Sequence, residues 1–222
     1  MAEQWRVGLL GGSFDPPHKG HLSLAEAALA SGQVDRILFM PAAVPPHKQG
    51  NSASPEYRLA MTSLLIQGKE ETMAVSSEEL EMPTPNWTVR TVRMLIKKHP
   101  TWKWRLVMGS DMALDFGRWR EARALLNLAM PLWAERPGAL WPQNEATLGE
   151  LPGLRPLSPE ERKRLILGRM GMVPESVSSG QIRRSLAKSF AEGKDIPQDV
   201  KEWLTPEVID YIVEHKLYRS PS

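Results

Sequence analysis

The residues from Arg6 to Leu10 form a short apolar run that stops at a glycine pair, Gly11 and Gly12. From about Gly20 to Ala30 the apolar residues Leu22, Leu24, Ala25, Ala28 and Leu29 then recur at helical spacing. This pattern reads as strand, loop, helix. The unit repeats. Arg36 to Met40 is a second apolar run, a Pro-rich segment covers Pro41 to Pro55, and a helical pattern follows through Tyr57, Leu59, Met61, Leu64 and Leu65. Trp87 to Lys98 again has helical periodicity and is stopped by Pro100; Arg105 to Met108 and Ala129 to Ala134 read as a third and a fourth strand. Strands alternating with helices predict an α/β fold, a parallel sheet with helices on both faces.

The 222 residues suffice for one well-filled core, so a single domain over 1–222 is expected. Within it, 1–176 forms the α/β core, with 136–159 as a Pro- and Gly-bearing connection to which no element is assigned. Ser158-Pro159-Glu160-Glu161 reads as the start of a short helix that soon meets Gly168. Residues 177–222 form a small C-terminal helical extension, through Ile182, Leu186 and Phe190 and then through Val208, Ile209, Ile212 and Val213.

With 28 Lys and Arg against 26 Asp and Glu, the net charge of +2 is too small to argue by itself for a nucleic-acid groove. There is no cysteine, which excludes a disulfide framework, a thiolate zinc site and a cysteine nucleophile. Met1 to Arg6 lacks the pattern of a secretory signal, and no apolar run is long enough to cross a bilayer. A cytoplasmic protein with no membrane partner is expected.

Gly11-Gly12-Ser13-Phe14-Asp15-Pro16-Pro17-His18-Lys19-Gly20-His21 falls at the first strand-to-helix loop, a favoured phosphate site in open parallel sheets. Glycines let phosphates approach backbone N–H groups, and the helix start favours anions. His18 and His21, three residues apart, share one side of a helical first turn. Two imidazoles there suit the charge that grows on phosphate oxygens in phosphoryl or nucleotidyl transfer. Singly, each residue favours a turn or a structural histidine; the conjunction is far more specific. A second candidate anion site is Val177-Ser178-Ser179-Gly180-Gln181-Ile182-Arg183, where serines precede a helix whose first turn carries an arginine.

The first segment resembles the signature of the nucleotidyltransferases that carry an HxGH motif on a Rossmann-like fold, and is most similar to the GGxFDPxHxGH of the bacterial nicotinate mononucleotide adenylyltransferases. The second resembles their ISSTxxR, with Gly180 where threonine is usual. The resemblance implies catalytic roles for His18, His21 and Arg183. It also implies ATP contacts from Gly11, Gly12, Ser13, Phe14, His18, His21, Gly109, Asp111, Ser178, Ser179, Ile182 and Arg183, with Gly109-Ser110-Asp111 matching the family's GxD. Val44-Pro45-Pro46-His47-Lys48 resembles the family's PPHK element, and Trp87-Thr88 and Phe116 to Trp119 its Tyr-Thr pair and FxxW; these imply that His47, Lys48, Thr88 and Trp119 bind the mononucleotide. Trp87 stands in place of the common tyrosine. Glu135-Arg136-Pro137-Gly138 resembles its RPG element.

The activity implied is adenylyl transfer from ATP to nicotinate mononucleotide in NAD biosynthesis, with Mg²⁺ held mainly by the phosphates. A phosphopantetheine adenylyltransferase shares the His and Ser-Arg motifs but is shorter and lacks Pro-Pro-His-Lys. A non-catalytic nucleotide sensor predicts damaged motifs, whereas both histidines and Arg183 are present. The oligomeric state is not legible in the sequence.

Overall fold

The computed structural model describes residues 4–43, 53–135, 137, 141, 145–173 and 177–219. Strands β1 (Arg6–Gly12), β2 (Arg36–Pro41), β3 (Met73–Val75), β4 (Lys103–Gly109), β5 (Met130–Glu135) and β6 (Arg169–Met172) make one six-stranded sheet in the order β3-β2-β1-β4-β5-β6, every pair parallel. That is the doubly wound Rossmann order, in which the chain reverses direction across the sheet between β1 and β4.

The helices are α1 (Lys19–Ala30), α2 (Pro55–Leu65), α3 (Glu78–Glu81), α4 (Thr88–Lys98), α5 (Ser110–Leu114), α6 (Ala122–Leu128), α7 (Glu145–Glu150), α8 (Pro159–Leu167), α9 (Ser179–Ala191), α10 (Gln198–Trp203) and α11 (Pro206–Glu214). A 3₁₀ turn, Phe116–Arg118, lies between α5 and α6. The four strands and the main helices expected from periodicity are present, with ends moved by a few residues. The span 136–159, read as a connection without elements, contains α7. None of the described helices is long and apolar enough to cross a membrane.

The sheet separates two hydrophobic layers, because alternate residues of each strand point to opposite faces. Along β1 and β4, Leu10 and Val107 join one layer with Leu24, Met61, Ile182, Leu186, Val208 and Ile212, so the C-terminal helices share a core with α1 and α2. Val7, Leu9, Leu106 and Met108 join the other layer with Val92, Leu95, Leu125, Trp133 and Leu165. Gly8 sits where a Cβ would lie 2.7 Å from Ile37 Cδ1 and 2.8 Å from Val107 Cγ2. The close approach of the three central strands' side chains therefore demands glycine at that position.

Candidate active site

The loop between β1 and α1 lies at the carboxyl end of the sheet, beside the reversal between β1 and β4. Gly11 is exposed, and a Cβ added there would meet nothing within 4 Å. Its φ is not in the left-handed region either. Neither packing nor backbone demands glycine at this position, whereas a close-approaching ligand would. At Gly12 a Cβ would press on the Phe14 ring at 3.2 Å.

Phe14 itself is left-handed, with φ +46°, and fully buried. Such a backbone costs about 1–2 kcal/mol, and burying a whole phenyl ring returns about 2–3 kcal/mol. The ring lies edge-on to His21 at 4.9 Å and 5.8 Å from Phe39. Its part in the site is thus to support the loop from below. The peptide between Asp15 and Pro16 is cis.

His18 is the N-cap of α1 and buried; His21, at its third position, is half-buried. The two rings lie 3.7 Å apart between centroids. The His18 backbone N–H donates to His21 Nδ1 at 3.2 Å, so the neutral His21 ring carries its proton on Nε2. The sequence expectation that the two imidazoles share one side of the helix start matches this geometry.

The second motif docks onto the first. Ser178 caps α9, its hydroxyl accepting the Gln181 N–H at 3.3 Å while the Gln181 side chain accepts the Ser178 N–H at 2.8 Å. The Ser179 hydroxyl donates to the Pro16 carbonyl at 2.9 Å. Arg183 Nη1 donates to the Asp15 carbonyl at 2.7 Å and lies 3.4 Å from Asp15 Oδ2. Side chains more than 160 positions apart in sequence thus close one ring of contacts. Ile182 is fully buried in the hydrophobic layer, which leaves its main chain and its anchoring of α9 as its contribution. At Gly180 a Cβ would find Arg184 Nη1 at 3.5 Å and Ser178 Oγ at 4.0 Å, ordinary contacts, so nothing in the protein requires glycine there.

Three residues absent from the sequence assignment complete this region. The Asp15 carboxylate is fully buried and accepts from the Tyr218 hydroxyl at 2.8 Å and from the Ala53 N–H at 3.1 Å. Arg58, 1% exposed, donates Nη1 to the Ser13 carbonyl at 2.7 Å, Nη2 to the Ala43 carbonyl at 3.1 Å and Nε to the Ala53 carbonyl at 3.2 Å. Burial lowers the Arg58 pKa from its ordinary value, countered by the charge of Asp15. Arg58 was detectable, because it shares with Met61, Thr62 and Leu65 the i, i+3, i+4, i+7 spacing of one helix face, here the buried one. Tyr218 had no such signal.

On the acceptor side, His47 and Lys48 lie outside the described residues, as do Arg136 and Gly138 of the RPG-like element. The residues flanking the segment that bears His47 and Lys48, Ala43 and Ala53, supply two of the three carbonyls that Arg58 holds. Thr88 opens α4 and is half-buried beside Trp87, which is 46% exposed. Trp119 is half-buried, its ring 5.4 Å from that of Phe116. Arg93 of α4 grips Glu121 with two bonds, at 3.1 and 2.6 Å, so the Trp119 turn runs alongside α4 about one and a half turns from Thr88. Gly109 ends β4 against Ala134, and Asp111 is exposed in the first turn of α5. Glu135, 8% exposed, is paired with Arg169 at 2.8 Å.

Among the described residues no group of three or more His, Asp or Glu is placed to hold a metal ion. Beside the buried Asp15 carboxylate, the groups around the glycine loop include the donors His21, Arg183 and backbone N–H, which suit phosphate oxygens.

The model of the cytidylyltransferase-like family matches residues 9–185. A probable nicotinate-nucleotide adenylyltransferase of Symbiobacterium thermophilum is 35% identical over 217 residues, 96% of this chain and 95% of that protein. One of Shewanella pealeana is 31% identical over 222 residues, 98% and 97% of the two chains. Among solved structures, a Plasmodium falciparum nicotinic acid mononucleotide adenylyltransferase complexed with NaAD superimposes with a TM-score of 0.71 at 20% identity, over 96% of this chain and 97% of that one.

Proposed function

The chain belongs to the nicotinate-nucleotide adenylyltransferases of the cytidylyltransferase-like family, and from that premise we propose how its residues move the adenylyl group of ATP onto nicotinate mononucleotide. The observation that carries the assignment of roles is the docking of α9 on the glycine loop. It sets Arg183 beside Asp15, in the loop that leads to the His18–His21 pair.

An oxygen of the mononucleotide phosphate attacks the α-phosphorus of ATP in line. The new P–O bond forms as the bond to pyrophosphate breaks, giving the deamido dinucleotide without a covalent enzyme intermediate. Negative charge grows on the phosphate oxygens and on the departing bridge oxygen. The exposed Gly11 leaves room for the triphosphate at the loop, the imidazoles donate to its oxygens, and Arg183 faces it from α9. No carboxylate cluster of the described residues would hold a metal, so a divalent cation such as Mg²⁺ would be held by the phosphates of ATP and by water, and would supply further neutralisation of charge. His47, Lys48, Thr88 and Trp119 are assigned to the mononucleotide. Nothing in the charge distribution calls for a nucleic-acid or membrane partner, and the reading places the enzyme in the cytoplasm.

Pyrophosphate release tests this. The protein with ATP, Mg²⁺ and nicotinate mononucleotide should release it, and faster than with the amide mononucleotide. No release with either acceptor overturns the enzymatic reading; preference for the amide overturns the acceptor alone. His21→Ala should lower kcat about 10²- to 10³-fold, the size of one lost donor to transition-state charge, without changing the far-UV circular dichroism.

A further inference from the structure

After α11 the chain turns through two left-handed non-glycine residues, Lys216 at φ +53° and Tyr218 at φ +59°. L side chains disfavour that region, so two such residues in close succession mark a turn held by its surroundings. The turn delivers the Tyr218 ring to a buried position, 6% exposed, under the glycine loop. There the phenol O–H donates to Asp15 Oδ1 at 2.8 Å. The Ala53 N–H shares that oxygen at 3.1 Å, and Arg183 Nη1 faces the other at 3.4 Å. Burial first, then the charge of Asp15 and the bond to it, raise the phenol pKa far above its ordinary value. The hydroxyl is therefore a permanent donor.

We propose that Tyr218 is a positioning residue for ATP: its O–H fixes the Asp15 carboxylate and, through it, the place of the Arg183 guanidinium. The inference rests on Arg183 being a triphosphate ligand. A carboxylate with no exposed surface has to be compensated by donors around it. With the phenol and the Ala53 N–H on Oδ1, Arg183 Nη1, bonded to the Asp15 carbonyl at 2.7 Å, stands 3.4 Å from Oδ2, loose for an ion pair, and only 13% of its side-chain surface is exposed. Without the phenol the carboxylate loses one of its donors and draws the guanidinium toward itself, off the Asp15 carbonyl and away from the ligand. The ring contributes packing as well, but Tyr218→Phe keeps the ring and removes only the donor.

The test is the affinity for Mg·ATP, read by isothermal titration calorimetry, together with KM for each substrate in the pyrophosphate assay. Tyr218→Phe should weaken ATP binding and raise its KM about tenfold, the usual size of one lost bond to a charged group, with KM for the mononucleotide unchanged. Asp15→Asn should also weaken ATP binding, and adding Tyr218→Phe to it should cause no further loss, since the effect runs through the carboxylate. Unchanged ATP affinity in Tyr218→Phe overturns the proposal, whatever happens to its thermal midpoint, as does a tenfold loss that persists in the Asp15→Asn background. Should Tyr218→Phe fail to fold, Asp15→Asn decides alone: unchanged ATP affinity there overturns the proposal. A wild-type protein that binds ATP but makes no product fails the functional reading and leaves these binding measurements decisive; one that binds no ATP overturns both.

Discussion

Arg58 and Glu79 are ionisable residues in the interior, and they behave differently because their partners differ. Arg58 spends three of its N–H groups on main-chain carbonyls. A lysine has no planar fork to reach all three. Arg58→Lys should therefore lower the unfolding free energy by about 3 kcal/mol, measured by urea denaturation, as carbonyls in a buried setting lose their donors. Glu79, 9% exposed, has one hydroxyl partner, Thr91. Burial raises its pKa and the Thr91 bond only partly counters this. The native state thus holds a proton that the unfolded chain gives up near the ordinary 4.5, so this contribution is complete below that pH and is lost as pH rises through the folded pKa. Glu79→Gln should flatten the decline of the thermal midpoint as pH rises above 4.5; an unchanged profile would refute this. Histidines, serines and Arg183 were legible as site candidates because their types advertise phosphate chemistry. Asp15 and Tyr218 were not, since a contact across 203 positions leaves no local trace.

Elements with strong periodicity were readable, and those without it were not. β1, β2, β4 and β5 are buried strands whose apolar runs survive in the sequence. β3 has three residues, and β6 is an edge strand of Arg-Met-Gly-Met with a left-handed Gly171, so neither offers an apolar alternation to find. α7 follows a stretch rich in breakers, and α6 starts from Glu121 in a left-handed conformation that no cap motif announces. α9 was legible through its capping serine, yet the reason for glycine at position 180 was not, and the structure supplies none within the protein. Gly180→Ala, free of clashes, should stabilise the fold by about 0.5–1 kcal/mol through the unfolded state and helix propensity, seen as a higher thermal midpoint. A lower midpoint would mean that the backbone at 180 needs a freedom that the spacing does not reveal.

For the whole molecule, alternation of strands and helices was enough to predict a parallel sheet, but the order of the strands came only with the structure. Periodicity describes one element at a time, whereas strand order is a property of how elements meet. The layer that joins α1 and α2 to α9, α10 and α11 makes the same point: each helix advertises an apolar face, and none says which other faces it will meet. Within that arrangement Arg58 acts on the chain as a clasp acts on a bracelet. Ala43 and Ala53 hang from one guanidinium, and Ser13 of the glycine loop hangs from it too. The segment between them can therefore lengthen, shorten or exchange its side chains while its two ends stay registered to the phosphate loop. Closing a somewhat longer loop costs little, because the entropy grows only with the logarithm of its length. On the proposed assignment of His47 and Lys48 to the acceptor, exchanging side chains in that segment is thus expected to leave the Ser13 end of the glycine loop where Arg58 holds it.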